Sequence, residues 1–211
     1  MPGKSIKMYY ILSDELEKPK FDAFVDAALL DSYREVTPNI FNKGKTVALS
    51  RNLKYYLEIN NDDSLPGKMR DRLSVLIHNS DYMFLASERL QKLLNETSNN
   101  QIEFIPVSFE YNGISYDDYK IVNVLNKIEC VDYEQSEIIF ESYDENDEPE
   151  GDIYAIEGLV LDESLISAHL NIFLLDRTKS SIIIVHERLK NILAQQGMSG
   201  FVFYKPGDFQ L

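Results

Sequence analysis

A unit made of an apolar run, a helix-like stretch and a second apolar run occurs twice, and it constrains the fold more than any other feature. The first copy reads "ASERLQKLLNETSNNQIEFIPV", from Ala86 to Val107, and the second reads "VHERLKNILAQQGMSGFVFYKP", from Val185 to Pro206. Short apolar runs around a stretch with a period of 3.6 residues predict a strand, a helix and a return strand. The chain is therefore expected to form two similar strand–helix–strand units.

Both units begin their helix with Glu-Arg-Leu, at Glu88-Arg89-Leu90 and at Glu187-Arg188-Leu189. A Glu in the first turn favours the positive end of the helix dipole, and the Leu starts the buried stripe. The Arg is placed to pair with a carboxylate or to reach a sheet edge. Ser87 is a good N-cap, whereas His186 stands at that position in the second unit and is expected to cost the helix its cap. Two copies predict two related lobes, or two similar corners of one domain.

The remaining pattern favours an α+β fold, with a mixed, mostly antiparallel sheet and short packed helices. We expect a strand at Met8–Leu12, a helix with its apolar face between Phe21 and Leu29, and a helix opened by Pro66 with its apolar face between Met69 and Ile77. Residues 1–80 are assigned to an N-terminal lobe and residues 81–211 to a second region, within one compact unit. Further strands are expected at Lys120–Leu125, Glu137–Tyr143, Asp152–Ile156, Ile172–Leu175 and Ser181–Val185, and Gly197 is expected to end the second helix in the left-handed conformation.

The charge of the chain is concentrated in one segment. The net charge is −14, and residues 129–163 hold fourteen acids with no Lys or Arg, while the rest holds 21 acids and 21 basic residues. A nucleic-acid binder needs a basic face, so this distribution favours a basic protein partner instead. The other interpretation is a solvated loop with edge strands that like charge keeps soluble. The candidate partner-binding residues are Asp144, Glu145, Asp147, Glu148, Glu150 and Asp152.

No motif in the sequence indicates a reaction, a metal or a cofactor. "HERLK" starts like a zinc-protease motif, but Lys190 stands where the second histidine would be. Ser87 lacks the glycines of a nucleophile elbow, and the acidic surroundings of Cys130 disfavour its thiolate. We therefore predict a protein without catalytic residues. The single cysteine and the short apolar runs further predict a cytoplasmic protein that has no contact with membranes.

The second half resembles a known family, the immunity proteins of bacterial polymorphic toxin systems, formerly catalogued as a domain of unknown function. The resemblance runs from about Asp81 to Pro206, through "SERLQKLL", "IEFIPV", "YKIVNVLNKIECVDYEQSE" with Asp132, "LVLDESLI", "NIFLLDR" and the second unit. It implies that the protein binds a cognate toxin and neutralises it, and it implies no catalytic residues. The partner would be a toxin with a basic surface.

Two other functions stay open on the sequence alone. One is an enzyme that uses acidic and Tyr side chains on an α+β scaffold, which would need polar groups that converge in one pocket. The other is a structural or regulatory module that associates with itself through sheet edges.

Overall fold

A computed structural model describes residues 8–13, 24–30, 43–46, 55–59, 70–77, 81–111, 113–143, 149–179 and 181–210. Within these ranges the fold is α+β, with two helices and mainly antiparallel sheets. The helices are α1 (Glu88–Thr97) and α2 (Glu187–Gln195). The strands of the first half are β1 (Tyr9–Ser13), β2 (Phe24–Leu30), β3 (Tyr55–Ile59), β4 (Arg72–Ile77), β5 (Asp81–Ala86), β6 (Ile102–Tyr111), β7 (Ile114–Tyr116) and β8 (Lys120–Val124). Those of the second half are β9 (Lys127–Ile128), β10 (Glu137–Tyr143), β11 (Pro149–Gly158), β12 (Ile172–Leu175), β13 (Ile183–His186) and β14 (Val202–Tyr204).

Seven strands form the larger sheet, in the order β3-β2-β4-β5-β8-β6-β7. An additional parallel pairing joins β3 to β6. The six strands from β3 to β6 in this order therefore close into a ring, and β7 forms an antiparallel hairpin with the end of β6. Pro106 lies where β6 stops pairing with β8 and starts pairing with β3, so its missing N–H falls at a change of partner.

Five strands form the second sheet, in the order β14-β1-β13-β12-β9. Its side chains alternate between two faces because successive residues of a strand point in opposite directions. Tyr10, Leu12 and Val185 face a core that also contains both helices, whereas Tyr9, Ile11 and Ile184 face a second core. The two-stranded hairpin of β10 and β11 packs on that second core through Phe140, Ile153 and Ile156.

The two predicted units occupy equivalent positions in the two sheets. In the first, β5 and β6 flank β8 and pair antiparallel with it, and in the second, β13 and β14 flank β1 in the same way. The equivalence extends further, since β5 and β13 each pair antiparallel with a preceding strand, β4 and β12. Those strands in turn pair parallel with β2 and β9. Five strands of one sheet thus match five of the other in order and direction.

Both helices pack into one core between the two sheets. Leu90 and Leu94 of α1 lie in the same buried cluster as Leu189 and Leu193 of α2. The duplicated units therefore form two similar corners of one structure, which is one of the two arrangements that the sequence predicted. Each helix is covered on one side by its own sheet and on the other by residues of the second unit. Neither unit therefore buries its apolar face alone.

Reciprocal polar contacts join the two units at the ends of the helices. Gln101, which follows α1, accepts hydrogen bonds through Oε1 from the backbone N–H groups of Asn171 (2.8 Å) and Ile172 (3.1 Å). Ser199, which follows α2, accepts a bond from the N–H of Asp71 (3.0 Å) and donates its own N–H to the Asp71 carboxylate (3.0 Å). Asp71 and Asn171 are themselves equivalent, because the backbone oxygen of each accepts a bond from the residue that caps its helix.

Most of the sequence-based elements are confirmed, and two are wrong. β1, β5, β6, β8 and β10 to β14 lie close to their predicted positions, and Gly197 has a φ of +59° at the end of α2. The helix expected between Phe21 and Leu29 is instead β2 from Phe24 onward, and the one expected to reach Ile77 is β4 from Arg72 onward. Leu73, Val75 and Ile77 also fit a period of two, so pairing with β2 and β5 decides the conformation. Phe21, Pro66 and Met69 lie outside the described residues.

The division of the chain at residue 80 stays a prediction. Strands from before that position belong to both sheets, with β1 between β13 and β14 and with β4 against β5. Residues 1–80 therefore contribute backbone hydrogen bonds to each of the two units that follow.

Candidate partner-binding surface

The acidic segment folds mainly into the hairpin of β10 and β11, one side of which is buried. Phe140 and Ile153 are paired across the two strands and lie in the second core, together with Ile156. The other side faces solvent, and Glu137, Glu141, Asp152 and Glu157 are all exposed there or at its margins. The segment is thus anchored by apolar side chains and presents carboxylates outward, as a strand with one buried face should.

The structure describes two of the six predicted partner-binding residues. Asp152 is exposed on β11, and the backbone of Glu150 pairs with Ser142 of β10. Asp144, Glu145, Asp147 and Glu148 join the two strands and lie outside the described residues. Their role in binding, like that of Glu150 and Asp152, stays a prediction.

Large apolar side chains of the acidic segment are exposed as well. The exposed fraction is 40% for Tyr133, 46% for Ile139, 49% for Tyr143 and 63% for Tyr154. Their exposure was not predicted, since a sequence run such as "IIF" at residues 138–140 does not show which of its members is buried. The tyrosines within an acidic stretch were the signal that could have found them, since Tyr is enriched at protein interfaces.

Two cations from the turn between β12 and β13 contact the acidic segment. Arg177 donates a hydrogen bond to the backbone oxygen of Gly151 (3.0 Å), and its guanidinium lies 5.1 Å from the ring centre of Phe140 and 6.0 Å from that of Tyr133. Lys179 Nζ lies 2.7 Å from Glu141 Oε1. The sequence showed a segment without any Lys or Arg, whereas in the folded chain these two residues partly offset its charge.

A comparison with protein-family models decides what kind of protein carries this surface. The model described as "Immunity protein family (Imm11)" matches residues 27–208 of the 211. The chain belongs to the Imm11 immunity protein family. The resemblance noted for residues 81–206 is thereby confirmed, and the match begins well before it. No curated protein matches the chain.

The described residues also show the surroundings of Cys130, the single cysteine of the chain. Burial, and to a lesser extent the charge of Asp162, raises the pKa of the Cys130 thiol to about 12, and Cys130 is fully buried. Acidic surroundings were the cause expected from the sequence, but burial raises the pKa more. In the part of the chain that the structure describes, no three His, Cys, Asp or Glu side chains are grouped as metal ligands would be. No described helix is long and apolar enough to cross a membrane.

The residues that begin the two helices have structural roles. Ser87 Oγ accepts a bond from the N–H of Leu90 (3.3 Å) and donates one to Asp71 Oδ1 (3.1 Å), so it is the expected N-cap. His186 also caps its helix, because its Nδ1 accepts a bond from the N–H of Arg188 (3.0 Å). The expectation that His186 costs α2 its cap is therefore wrong, since an unprotonated imidazole nitrogen can accept the bond that a hydroxyl oxygen accepts in α1.

The two Arg residues of the Glu-Arg-Leu motifs donate hydrogen bonds to backbone oxygens of other parts of the chain. Arg89 pairs with Asp71 (3.6 Å) and donates to the backbone oxygen of Gln196, at the end of α2. Arg188 donates to the backbone oxygen of Ala168 (2.7 Å). The repeated motif is thus explained by helix ends and packing, and the surface available to a partner lies elsewhere.

Proposed function

We propose that this member of the Imm11 family neutralises a cognate bacterial toxin by binding to it directly, without carrying out a reaction. The family match over residues 27–208 is the observation that carries the proposal. The buried, weakly acidic thiol of Cys130 and the structural roles of Ser87 and His186 support it, because none of these groups is arranged for catalysis.

The toxin is proposed to bind through a basic surface that meets the acidic hairpin. The predicted binding residues between Asp144 and Asp152 belong to the hairpin, whose exposed acids would steer a basic partner and accelerate its association. If the toxin acts on nucleic acid, its active site is basic, and the hairpin could occupy that site in place of the substrate. This encounter would take place in the cytoplasm of the cell that makes the toxin.

The proposal is tested by isolating the partner from native cells. The chain is used to capture proteins from the native cytoplasm, and each captured protein is expressed in a test host with and without the chain. We expect one captured protein to arrest growth and the chain to restore it. If no captured protein is toxic, or if growth is not restored, the proposed function is wrong.

The role of the acids is tested by neutralising four of them together. Asp144→Asn, Glu145→Gln, Asp147→Asn and Glu148→Gln should slow association with the toxin and flatten its dependence on salt concentration. The control neutralises four exposed acids outside the segment. Glu88 and Glu96 lie on α1, Asp118 lies just before β8, and Asp208 follows β14. Equal association rates for the two variants across a salt series would contradict a role for Asp144, Glu145, Asp147 and Glu148 in binding.

A further inference from the structure

The outward side of the hairpin carries an apolar centre within its acids. The exposed residues Ile139, Glu141, Asp152 and Tyr154 are together called the outer hairpin face. Ile139 is paired with Ala155 and Phe140 with Ile153, so Tyr154 is an extra residue that a bulge inserts into β11. The bulge turns Tyr154 outward between the buried Ile153 and the half-buried Ala155, and 63% of its surface is exposed.

The exposed apolar residues are not scattered evenly over the chain. Of the seven large apolar residues that are exposed in the described part of the chain, four lie between Tyr133 and Tyr154. Single exposed apolar residues are ordinary on any protein, but a cluster with a charged border is typical of an interaction site. Tyr133 and Tyr143 also contact the buried Phe140, with ring centres 5.8 and 6.2 Å from that of Phe140. Of the four, Ile139 and Tyr154 are therefore the residues that belong to the outward side.

The chain itself shows which chemistry the hairpin accommodates. On its inner side, the Arg177 guanidinium lies against the rings of Phe140 and Tyr133 and 3.9 Å from the Glu129 carboxylate. On the outer side, Lys179 pairs with Glu141 while 61% of the Lys179 side chain stays exposed. An exposed pair of this kind contributes little stability, so an incoming cation can replace Lys179 at small cost.

We propose that the outer hairpin face is the docking surface for the toxin, with Tyr154 and Ile139 buried at the centre of the interface and Glu141 and Asp152 paired with Arg or Lys side chains of the toxin. This inference rests on the proposed function, which supplies the partner. The toxin is expected to bind through a basic surface, because the carboxylates around the apolar centre complement positive charge. The ring face of Tyr154 can also contact an Arg side chain. An aromatic centre with a charged border is the usual anatomy of a specific interface.

The test uses the toxic protein captured from native cells with the wild-type chain, prepared as an inactive variant. Its affinity is measured for wild type, for the double variant Ile139→Ser/Tyr154→Ser and for the control Ile114→Ser/Leu165→Ser. The control residues are exposed by 56% and 57%, and they lie on β7 and in the 3-10 turn Glu163–Leu165. We expect Kd to rise about 30-fold or more for the first double variant and to change less than about twofold for the control.

Unchanged affinity of the Ile139→Ser/Tyr154→Ser variant, with full protection of the host, would overturn this inference and leave the proposed function in place. An equal loss for both double variants would overturn it too, since the effect would then not belong to this face. If wild type itself neither binds nor protects, the proposed function fails first. Circular dichroism and urea unfolding of each variant show that its fold is kept.

Lys179→Ala is expected to change the affinity in the opposite direction, by lowering Kd. Removing this cation leaves Glu141 unpaired at the surface and makes the outer hairpin face more negative. A basic partner should therefore bind more tightly and associate faster, most of all at low salt. Weaker binding would mean that the contacting surface of the toxin is not basic, and the inference would fall.

Discussion

Arg177 holds the hairpin to the body of the molecule through both its side chain and its backbone. It has a φ of +55°, in the left-handed region that non-glycine residues seldom adopt, and its backbone oxygen accepts a bond from the N–H of Ile153. Its guanidinium bonds to the oxygen of Gly151 and lies over Phe140. One residue of the turn before β13 thus fixes the position of β11.

Arg177→Ala should lower the free energy of unfolding by roughly 1–3 kcal/mol, because a charged hydrogen bond and a cation–π contact are lost. Urea unfolding followed by circular dichroism measures the change. Arg188→Ala is the matched control, since Arg188 also donates to a backbone oxygen but has no such contact with the hairpin. A smaller loss for Arg177→Ala than for Arg188→Ala would contradict the anchoring role.

Gly200 and Gly197 distinguish two reasons for which a position needs glycine, a positive φ and a lack of space for a Cβ atom. Both have positive φ, +87° and +59°. A Cβ at Gly200 would lie 2.2 Å from the backbone oxygen of Arg72, whereas a Cβ at Gly197 would meet nothing within 4 Å. Gly197→Ala should therefore cost about 1–2 kcal/mol for the left-handed conformation alone. Gly200→Ala should cost distinctly more, because β4 and the segment before β14 must also move apart, and equal losses in urea unfolding would contradict this.

At the scale of the element, the hairpin forms a separate layer on the second sheet. Cys130 lies beneath it in the second core and is fully buried, with its pKa raised to about 12. The thiol can therefore react only after the hairpin or its neighbours open locally. This makes Cys130 a probe of how firmly the element is held.

We expect Cys130 to react with a disulfide reagent far more slowly in the native protein than in urea, because the thiol is both covered and protonated at neutral pH. Arg177→Ala should accelerate the native reaction, while Arg188→Ala should leave it near the wild-type rate. The absorbance of the thiolate that the reagent releases measures the reaction rate in each case. A native rate close to that in urea would show that the hairpin does not cover the thiol.

The elements also show how far sequence reasoning reaches. The Ser87 cap, the glycine stop at Gly197 and the second half's strands were predictable because their signals are local. The cap by His186 was not, since histidine is not a usual N-cap residue. β2 and β4 were not, since a short apolar stretch fits both periods and distant pairing decides between them. In the candidate site the acids were visible as composition, but Tyr154 depends on a bulge and Arg177 approaches from another part of the chain. Tyrosines within the acidic stretch were a signal, but the sequence shows neither that Tyr154 is exposed nor that Arg177 contacts the hairpin.

At the scale of the whole molecule, the two matched sheets share one core and exchange contacts at their helix ends. Leu90 and Leu94 of one unit pack with Leu189 and Leu193 of the other. The bonds of Gln101 to the second unit are matched by those of Ser199 to the first. Neither half therefore has a complete apolar interior when the other is absent.

This arrangement predicts that the two halves unfold together. Calorimetry should give one transition in which the calorimetric and van't Hoff enthalpies agree.

Gln101→Ala removes the acceptor of two backbone N–H groups, so it should lower the free energy of unfolding by roughly 1–3 kcal/mol. The transition should nevertheless stay single, because the shared apolar core, and not the polar contacts, couples the halves. Gln91→Ala is a control within the same unit, since Gln91 bonds to Ala86 and Asp118 of its own half. Two resolved transitions in wild type would contradict the shared core, and two transitions only in Gln101→Ala would mean that the polar contacts carry the coupling.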